Sequence, residues 1–186
     1  YNQAKFLNKA LDSLKAQKYQ NFEVIILDNF STDETYKVIK KFSKKIIYKK
    51  IRNNGVIARS RNKGIKLSKG KWICFLDSDD YWLPNKLEKI LEIIKYNKFD
   101  VICHSEHIID QFKAKKKIWN YGPITKNFYK TLIKKGNRFS TSASCIKKSF
   151  IIENKIKFDE NKSFVTAEDY SFFLYLAFKN AKTFFL

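Results

Sequence analysis

Methionine is absent from all 186 residues, position 1 included. The chain also opens on Tyr1-Asn2 directly before a helical pattern, with no strand ahead of it. Both features read as marks of a fragment, so a natural chain that starts upstream and continues past Leu186 is expected. No apolar run approaches the roughly 20 residues of a membrane-spanning helix, and no secretory signal pattern is visible. Cysteine is scarce and odd in number. Cys74, Cys103 and Cys145 stand far apart inside apolar segments, which argues against a disulfide framework and predicts reduced core residues of a cytosolic protein. Acids are few: 18 Asp and Glu stand against 38 Lys and Arg, a net charge of +20. The lysines are spread over every predicted helix, with one dense cluster from Lys113 to Lys117. That scatter, with no recognition motif, argues against a nucleic-acid-binding module. It fits a lysine-rich composition whose attraction to phosphate or an anionic membrane face is secondary. With 44% hydrophobic and 16% aromatic residues the chain is globular, and without repeat or linker it reads as a single domain.

What is present is an alternation of helical and strand patterns. Leu7, Ala10, Leu11 and Leu14 mark a helix over residues 3–17. A short buried strand, 24–27, ends on Asp28. Ser31 with Glu34 forms a capping-box pattern before a second helix. A strand at 46–51, a helix at 56–68 and a strand at 71–77 follow. Pro84 suits a first helical position, ahead of the apolar stripe Leu87, Ile90, Leu91 and Ile94. Another strand starts at 101–103. Beyond residue 105 the rhythm loosens into a basic, aromatic loop or hairpin (105–126), a helix at 127–135, a strand at 142–147 and a helix at 167–179. In that last helix Tyr170, Phe173, Leu174, Ala177 and Phe178 are expected to face inward. Continuous apolar strands alternating with helices predict a parallel-rich α/β sheet sandwiched by helices.

The segment richest in chemistry is Leu76-Asp77-Ser78-Asp79-Asp80, where the apolar run Trp72-Ile73-Cys74-Phe75 ends. Close carboxylates raise one another's pKa unless a cation sits among them. Mg²⁺ and Mn²⁺ take one or two carboxylates plus substrate phosphates, and open α/β sheets bind ligands beyond the carboxyl ends of their strands. A solvated loop whose Asp79 or Asp80 caps the next helix accounts for the spacing equally well. Other acids stand at Asp28 and at Glu168-Asp169. Asn53-Asn54-Gly55 lies between them, followed by Arg59, Arg61 and Asn62. Acids at strand ends with nearby arginines suit a nucleotide diphosphate.

Taken in order, these pieces resemble a family 2 glycosyltransferase of the GT-A fold, a nucleotide-sugar-binding α/β domain. The set is Tyr1-Asn2, the segment 22–28, Ser31-Thr32-Asp33, Asn54-Gly55 with Ala58, Arg61-Asn62 and Gly64, then Gly70-Lys71-Trp72-Ile73, the acidic run, and Glu168-Asp169-Tyr170. The resemblance implies a mostly parallel central sheet whose first strand lies outside this chain. It implies a nucleotide-sugar-binding part over about 1–104 and an acceptor-side part over about 105–186. Tyr1 would pack on the base, foremost uracil, and Asp28 would accept the base N–H. Asn54 and Arg61 would lie near the donor, Arg61 by the base or phosphates. Asp79 and Asp80 would hold ribose and a Mn²⁺ or Mg²⁺ on the diphosphate, with Asp80 the metal ligand and Asp79 shared, while Asp77 would touch the metal shell or the donor sugar. Asp169 would be the general base of an inverting displacement, although Thr166-x-x-Asp169 is also a helix-capping pattern. Glu168, Ser142 and Trp82 would lie toward the acceptor. The implied partners are a nucleotide sugar, foremost a UDP-sugar, and a saccharide or lipid-linked saccharide in cell-surface polysaccharide synthesis. The implied location is cytoplasmic, with peripheral contact at the membrane. Asn29 stands where the family usually carries a second acid, and Phe30 where it carries a small residue.

A second enzyme reading and a metal-site reading are disfavoured by spacing. Asp77-x-Asp79 after an apolar strand suggests a Mg²⁺-dependent haloacid-dehalogenase-like phosphatase, but that chemistry uses the first strand and a Thr soon after. His104-Ser105-Glu106-His107 beside Cys103 does not make a zinc site, because alternate residues of an extended segment point to opposite faces.

Overall fold

The computed structural model describes residues 1–42, 46–110 and 115–186. Lys113, in the basic cluster, lies outside the described residues. Helix α1 (Ala4–Lys15) buries Ala10, Leu11 and Leu14. Strands β1 (Val24–Asp28) and β2 (Ile46–Lys50) pair in parallel, from Val24 opposite Ile46 to Asp28 opposite Lys50, across helix α2 (Thr35–Lys40). Helix α3 (Ile57–Leu67) leads to β3 (Trp72–Cys74), and α4 (Lys86–Ile94) leads to β4 (Val101–Cys103). A hairpin, β5 (Glu106–Asp110) and β6 (Lys115–Trp119), is followed by α5 (Phe128–Lys135), β7 (Ser144–Lys147), α6 (Lys148–Glu153), α7 (Glu168–Phe178) and β8 (Thr183–Phe185).

A four-stranded sheet runs in the order β3-β7-β4-β8. The β4–β8 pair is parallel, while β7 enters between β3 and β4 antiparallel to both. The sheet is therefore mixed where the rhythm of the first hundred residues predicted mostly parallel pairing. The antiparallel member comes from the later segment, whose rhythm is loose. The largest core cluster lies where α7 meets this sheet. Phe158 and Phe172 stack 3.9 Å apart, Phe139 and Phe173 at 4.4 Å, and Phe75 meets Phe158 and Phe172 edge-on. A second cluster joins α1 (Leu11, Leu14), Val24, Trp82 and Leu87.

Several local expectations are corrected. Cys74 and Cys145 are direct cross-strand partners of β3 and β7 and form a disulfide, with their Cα atoms 4.3 Å apart. Only Cys103 is a free, buried thiol. A separation of 71 residues hid that register. Pro84 precedes α4, whose N-cap is Asn85, and α6 was not foreseen. Neither capping pattern forms. Asp33 Oδ1 accepts from Thr35 N at the start of α2, and α7 begins after Ala167 without a side-chain cap. In α7, Phe173 is buried and Tyr170, Leu174 and Ala177 pack against the core as expected, but Glu168, Phe172 and Leu176 are buried too and Phe178 is 52% exposed. An almost uniformly apolar helix carries too little periodicity to fix its own rotation.

Candidate active site

Sequence-distant acids converge through Arg61, on the inner face of α3. Its guanidinium donates from Nη1 to Glu168 Oε1 at 3.1 Å and from Nη2 to Asp77 Oδ1 at 3.2 Å. Arg61 therefore ties the turn after β3 to the first turn of α7. The sequence had placed it against base or phosphate, but both of its terminal nitrogens are engaged with carboxylates. Glu168 is buried, with Oε2 unpartnered among the described residues. It also lines a small cavity with Val56, Ala58, Asp159 and Val165. The next residue, Asp169, is half-buried and accepts from Tyr170 N at 2.7 Å.

The acidic turn is built on the 140–144 loop. The β3 ladder stops at Cys74, and Asp77 N donates instead to Ser142 Oγ at 3.0 Å. The Ser142 carbonyl accepts from Trp82 Nε1 at 3.1 Å and from Lys86 Nζ at 2.7 Å. Lys86 also lies 3.6 Å from the centroid of the Trp82 ring. Ser142 and Trp82 are thus buried supports beneath the turn, not the acceptor-facing surface expected of them. Sequence reading missed Lys86 altogether, because a lysine in an amphipathic helix ordinarily faces water. Burial pushes its ammonium well below the usual lysine range, opposed by Glu106, Cys103 and Asp80.

Asp79 and Asp80 project from the turn without an ion-pair partner among the described residues, and Asp80 N closes the turn on Asp77 O. Asp80 is exposed by area, yet its carboxyl is held above the usual carboxylate range. Loss of water beside the 142 loop raises it, as do the charges of Asp79, Glu106 and Asp77, while a hydrogen bond with Ser142 opposes them. Glu106 is itself fixed by Tyr121 Oη at 2.5 Å and Ser140 Oγ at 2.9 Å. Among the described residues no group of three His, Cys, Asp or Glu side chains could hold a metal alone. Two carboxylates without an ion-pair partner, in a mutually repelling group, do fit a hard divalent cation completed by phosphate oxygens.

At the other strand end Asp28 is buried. It accepts from Ser31 N at 3.1 Å, from Ser31 Oγ at 2.5 Å and from Tyr48 Oη at 2.9 Å. Burial and the neighbouring Asp28 push the Tyr48 phenol up to about 12. Asn2 N donates to Ser31 Oγ, and Asn2 Oδ1 accepts from Thr32 N, so the chain start docks on this loop and leaves Tyr1 66% exposed beside it. Asn54 and Gly55 both take left-handed backbone, with Asn54 exposed. The ordered side chain there is its neighbour Asn53, which accepts from Gly55 N and donates to Ser60 Oγ.

The mixed sheet flanked by helices has the fold of GT-A glycosyltransferase structures. Its likeness to S. aureus TarS (residues 1–349) has a TM-score of 0.77 at 23% identity and covers all of this chain and 55% of that one. TarS in complex with UDP matches with a TM-score of 0.76, also at 23% identity, with the same coverage. The family described as glycosyl transferase family 2 matches residues 1–156, and the chain belongs to it. An uncharacterized glycosyltransferase of Methanocaldococcus jannaschii is 30% identical over 94% of this chain and 61% of its own length. The Escherichia coli UDP-Glc:alpha-D-GlcNAc-diphosphoundecaprenol beta-1,3-glucosyltransferase WfaP is 33% identical over 68% of this chain and 53% of its own length. The chain spans from about a fifth to three fifths of the curated relatives' lengths.

Proposed function

We propose that this chain carries the catalytic site of a metal-dependent, inverting glycosyltransferase that moves a sugar from a nucleoside-diphosphate sugar to a hydroxyl acceptor. The observation that carries the reading is the junction made by Arg61, which joins the acidic turn to the Glu168-Asp169 start of α7. In this reading Asp79 and Asp80 hold a Mn²⁺ or Mg²⁺ against the donor diphosphate. Bound there, the cation supplies Lewis-acid stabilisation of the departing nucleoside diphosphate. Asp169 takes the proton of the acceptor hydroxyl as that oxygen attacks the anomeric carbon, and Arg61 holds Asp77 and Glu168 so that turn and helix keep their spacing. Asp28 and the exposed Tyr1 ring receive the base. WfaP's named donor and the TarS–UDP complex support a uridine diphosphate sugar, and WfaP's named acceptor supports a lipid-linked saccharide in surface-glycan synthesis. Such an acceptor would bring the protein to the cytoplasmic membrane face as a peripheral partner. Among the described residues no helix is long and apolar enough to cross a membrane. Asp77-x-Asp79 follows β3 and not the first strand, which disfavours the phosphatase reading.

The test is incubation of the chain with Mn²⁺ and a panel of nucleotide sugars, scoring donor hydrolysis and transfer. Asp80→Ala is expected to abolish both. Asp169→Asn is expected to keep donor binding by calorimetry while transfer falls at least about 10²-fold, the usual contribution of a general base. Full activity in both variants would overturn the residue assignments.

A further inference from the structure

Away from the acidic turn lies a groove of about 600 Å³ lined by Phe30, Lys49, Lys50, Ile51, Arg52, Lys63 and Leu67. None of the proposed donor, metal or base residues lines it. The local chain explains its shape. Ile51 N donates to Asp28 O, and Asn53 N donates to Asn29 Oδ1 at 3.1 Å. These contacts carry the β2 chain alongside β1 beyond the ladder and set Arg52 against Phe30. The Arg52 guanidinium lies 5.0 Å, and the Lys50 ammonium 5.7 Å, from the centroid of the Phe30 ring. Lys63 closes the groove from one turn of α3, with the aliphatic Leu67 a turn later.

Two features separate this groove from the general lysine coat. First, four cations gather in one concavity, and none of them has a carboxylate within ion-pair distance among the described residues. The nearest strand-end acid, Asp28, is engaged by Ser31 and Tyr48. Like charges gathered in a concave surface focus potential and raise the local concentration of anions. Second, Phe30 holds a left-handed backbone with φ of 58° while its ring stays 41% exposed. That conformation is unfavourable for a bulky side chain, and such strain concentrates at ligand clamps. The exposed ring gains little from burial to offset it.

We propose that this groove is a second anion site, binding a ligand that carries two or more phosphate groups. Lys49, Lys50, Arg52 and Lys63 supply the charge, and Phe30 is the platform that holds Arg52 in place. The same chemistry occurs free in solution as a diphosphate, or displayed on a membrane as lipid headgroups.

The test uses the full chain at about 50 mM salt, so that surface electrostatics are only partly screened. Inorganic pyrophosphate is titrated by calorimetry, with and without saturating UDP and Mn²⁺. Phosphatidylglycerol and phosphatidylcholine vesicles are compared in parallel by co-sedimentation. Pyrophosphate binding that persists under UDP, and that falls at least tenfold in the triple variant Lys49→Gln, Arg52→Gln, Lys63→Gln, is the expected result. Phe30→Gly is expected to weaken binding severalfold without lowering the melting temperature. Vesicle binding specific to phosphatidylglycerol and lost in the triple variant would assign the site to a headgroup. Pyrophosphate binding without vesicle binding would assign it to a soluble ligand. The proposal is overturned if neither probe binds, if UDP displaces pyrophosphate, or if the exposed control pair Lys134→Gln, Lys135→Gln on α5 loses binding as much as the triple variant.

Discussion

Arg61 is 12% exposed in its side chain, as is its partner Glu168 at 9%, whereas Asp77 is 44% exposed. The two halves of this bridge therefore differ in worth. Truncating Arg61 leaves the Glu168 carboxylate buried and unpaired, and breaking a buried pair in this way costs about 3–5 kcal/mol. Asp77→Asn removes only a water-screened contact, worth under about 1 kcal/mol. Arg61→Ala should lower the urea midpoint sharply and Asp77→Asn barely, with equal shifts refuting the burial argument. His104 makes a pH prediction. Burial and the nearby Lys86 charge hold its imidazole down to about 4, opposed by its bond to the Ser105 carbonyl. Folded His104 thus stays neutral while unfolded His104 takes a proton below about 6.5. The folded state loses stability as pH falls through the window from about 6.5 to about 4, by at most about 3 kcal/mol. Denaturation midpoints of wild type and His104→Gln should diverge across that window, the wild type falling faster. Parallel curves would refute the assignment. Residue types announced the acids at 77–80 and 168–169, because carboxylates after an apolar run are conspicuous. Lys86 and Ser142 were illegible, since nothing in an isolated lysine or serine records that a carbonyl from another segment lies above it.

At the scale of elements, helical periodicity located α1, α3 and α5, which have one wet face and one dry face, and apolar runs located β1 and β2. On α7, apolar almost all round, periodicity placed Phe173, Tyr170, Leu174 and Ala177 against the core correctly but missed Phe172 and Leu176 and wrongly added Phe178. Phe172 stacks on Phe158 with no exposed area, while Phe178, on the face expected to be inward, is half open to water. Phe172→Ala should cost about 3–5 kcal/mol through the cavity it leaves, and Phe178→Ala should stay within about 1 kcal/mol. Thermal melts of the pair check the helix rotation directly, and the reverse ranking would restore the face inferred from sequence. Loss of Phe172 should also lower transfer activity before the chain unfolds, because the start of α7 carries Glu168 and Asp169. The β3–β7 pairing was equally hidden. Its residues are separated by two helices, a strand and a hairpin, and β7 runs against the direction set by the earlier βα units.

Across the whole molecule, +20 net charge on 186 residues is self-repulsion spread over nearly every face. Raising salt from about 10 to about 150 mM shortens the screening length from about 30 to about 8 Å. The melting temperature should rise over that range, and a flat or falling trend would indicate that local ion pairs outweigh the repulsion. Sequence by itself determined the α/β class, most of the order of its elements, the family and the presence of acids after β3 and at the start of α7. Each of these rests on local periodicity or on residue types in fixed order. Tertiary structure alone decided that Arg61 is a bridge between two acids, that Ser142, Trp82 and Lys86 lie under the acidic turn, that Cys74 meets Cys145, and that four cations share one groove with Phe30. Those facts depend on contacts between segments 16 to 107 residues apart, and register and helix rotation, which local pattern does not encode, set which side chains meet.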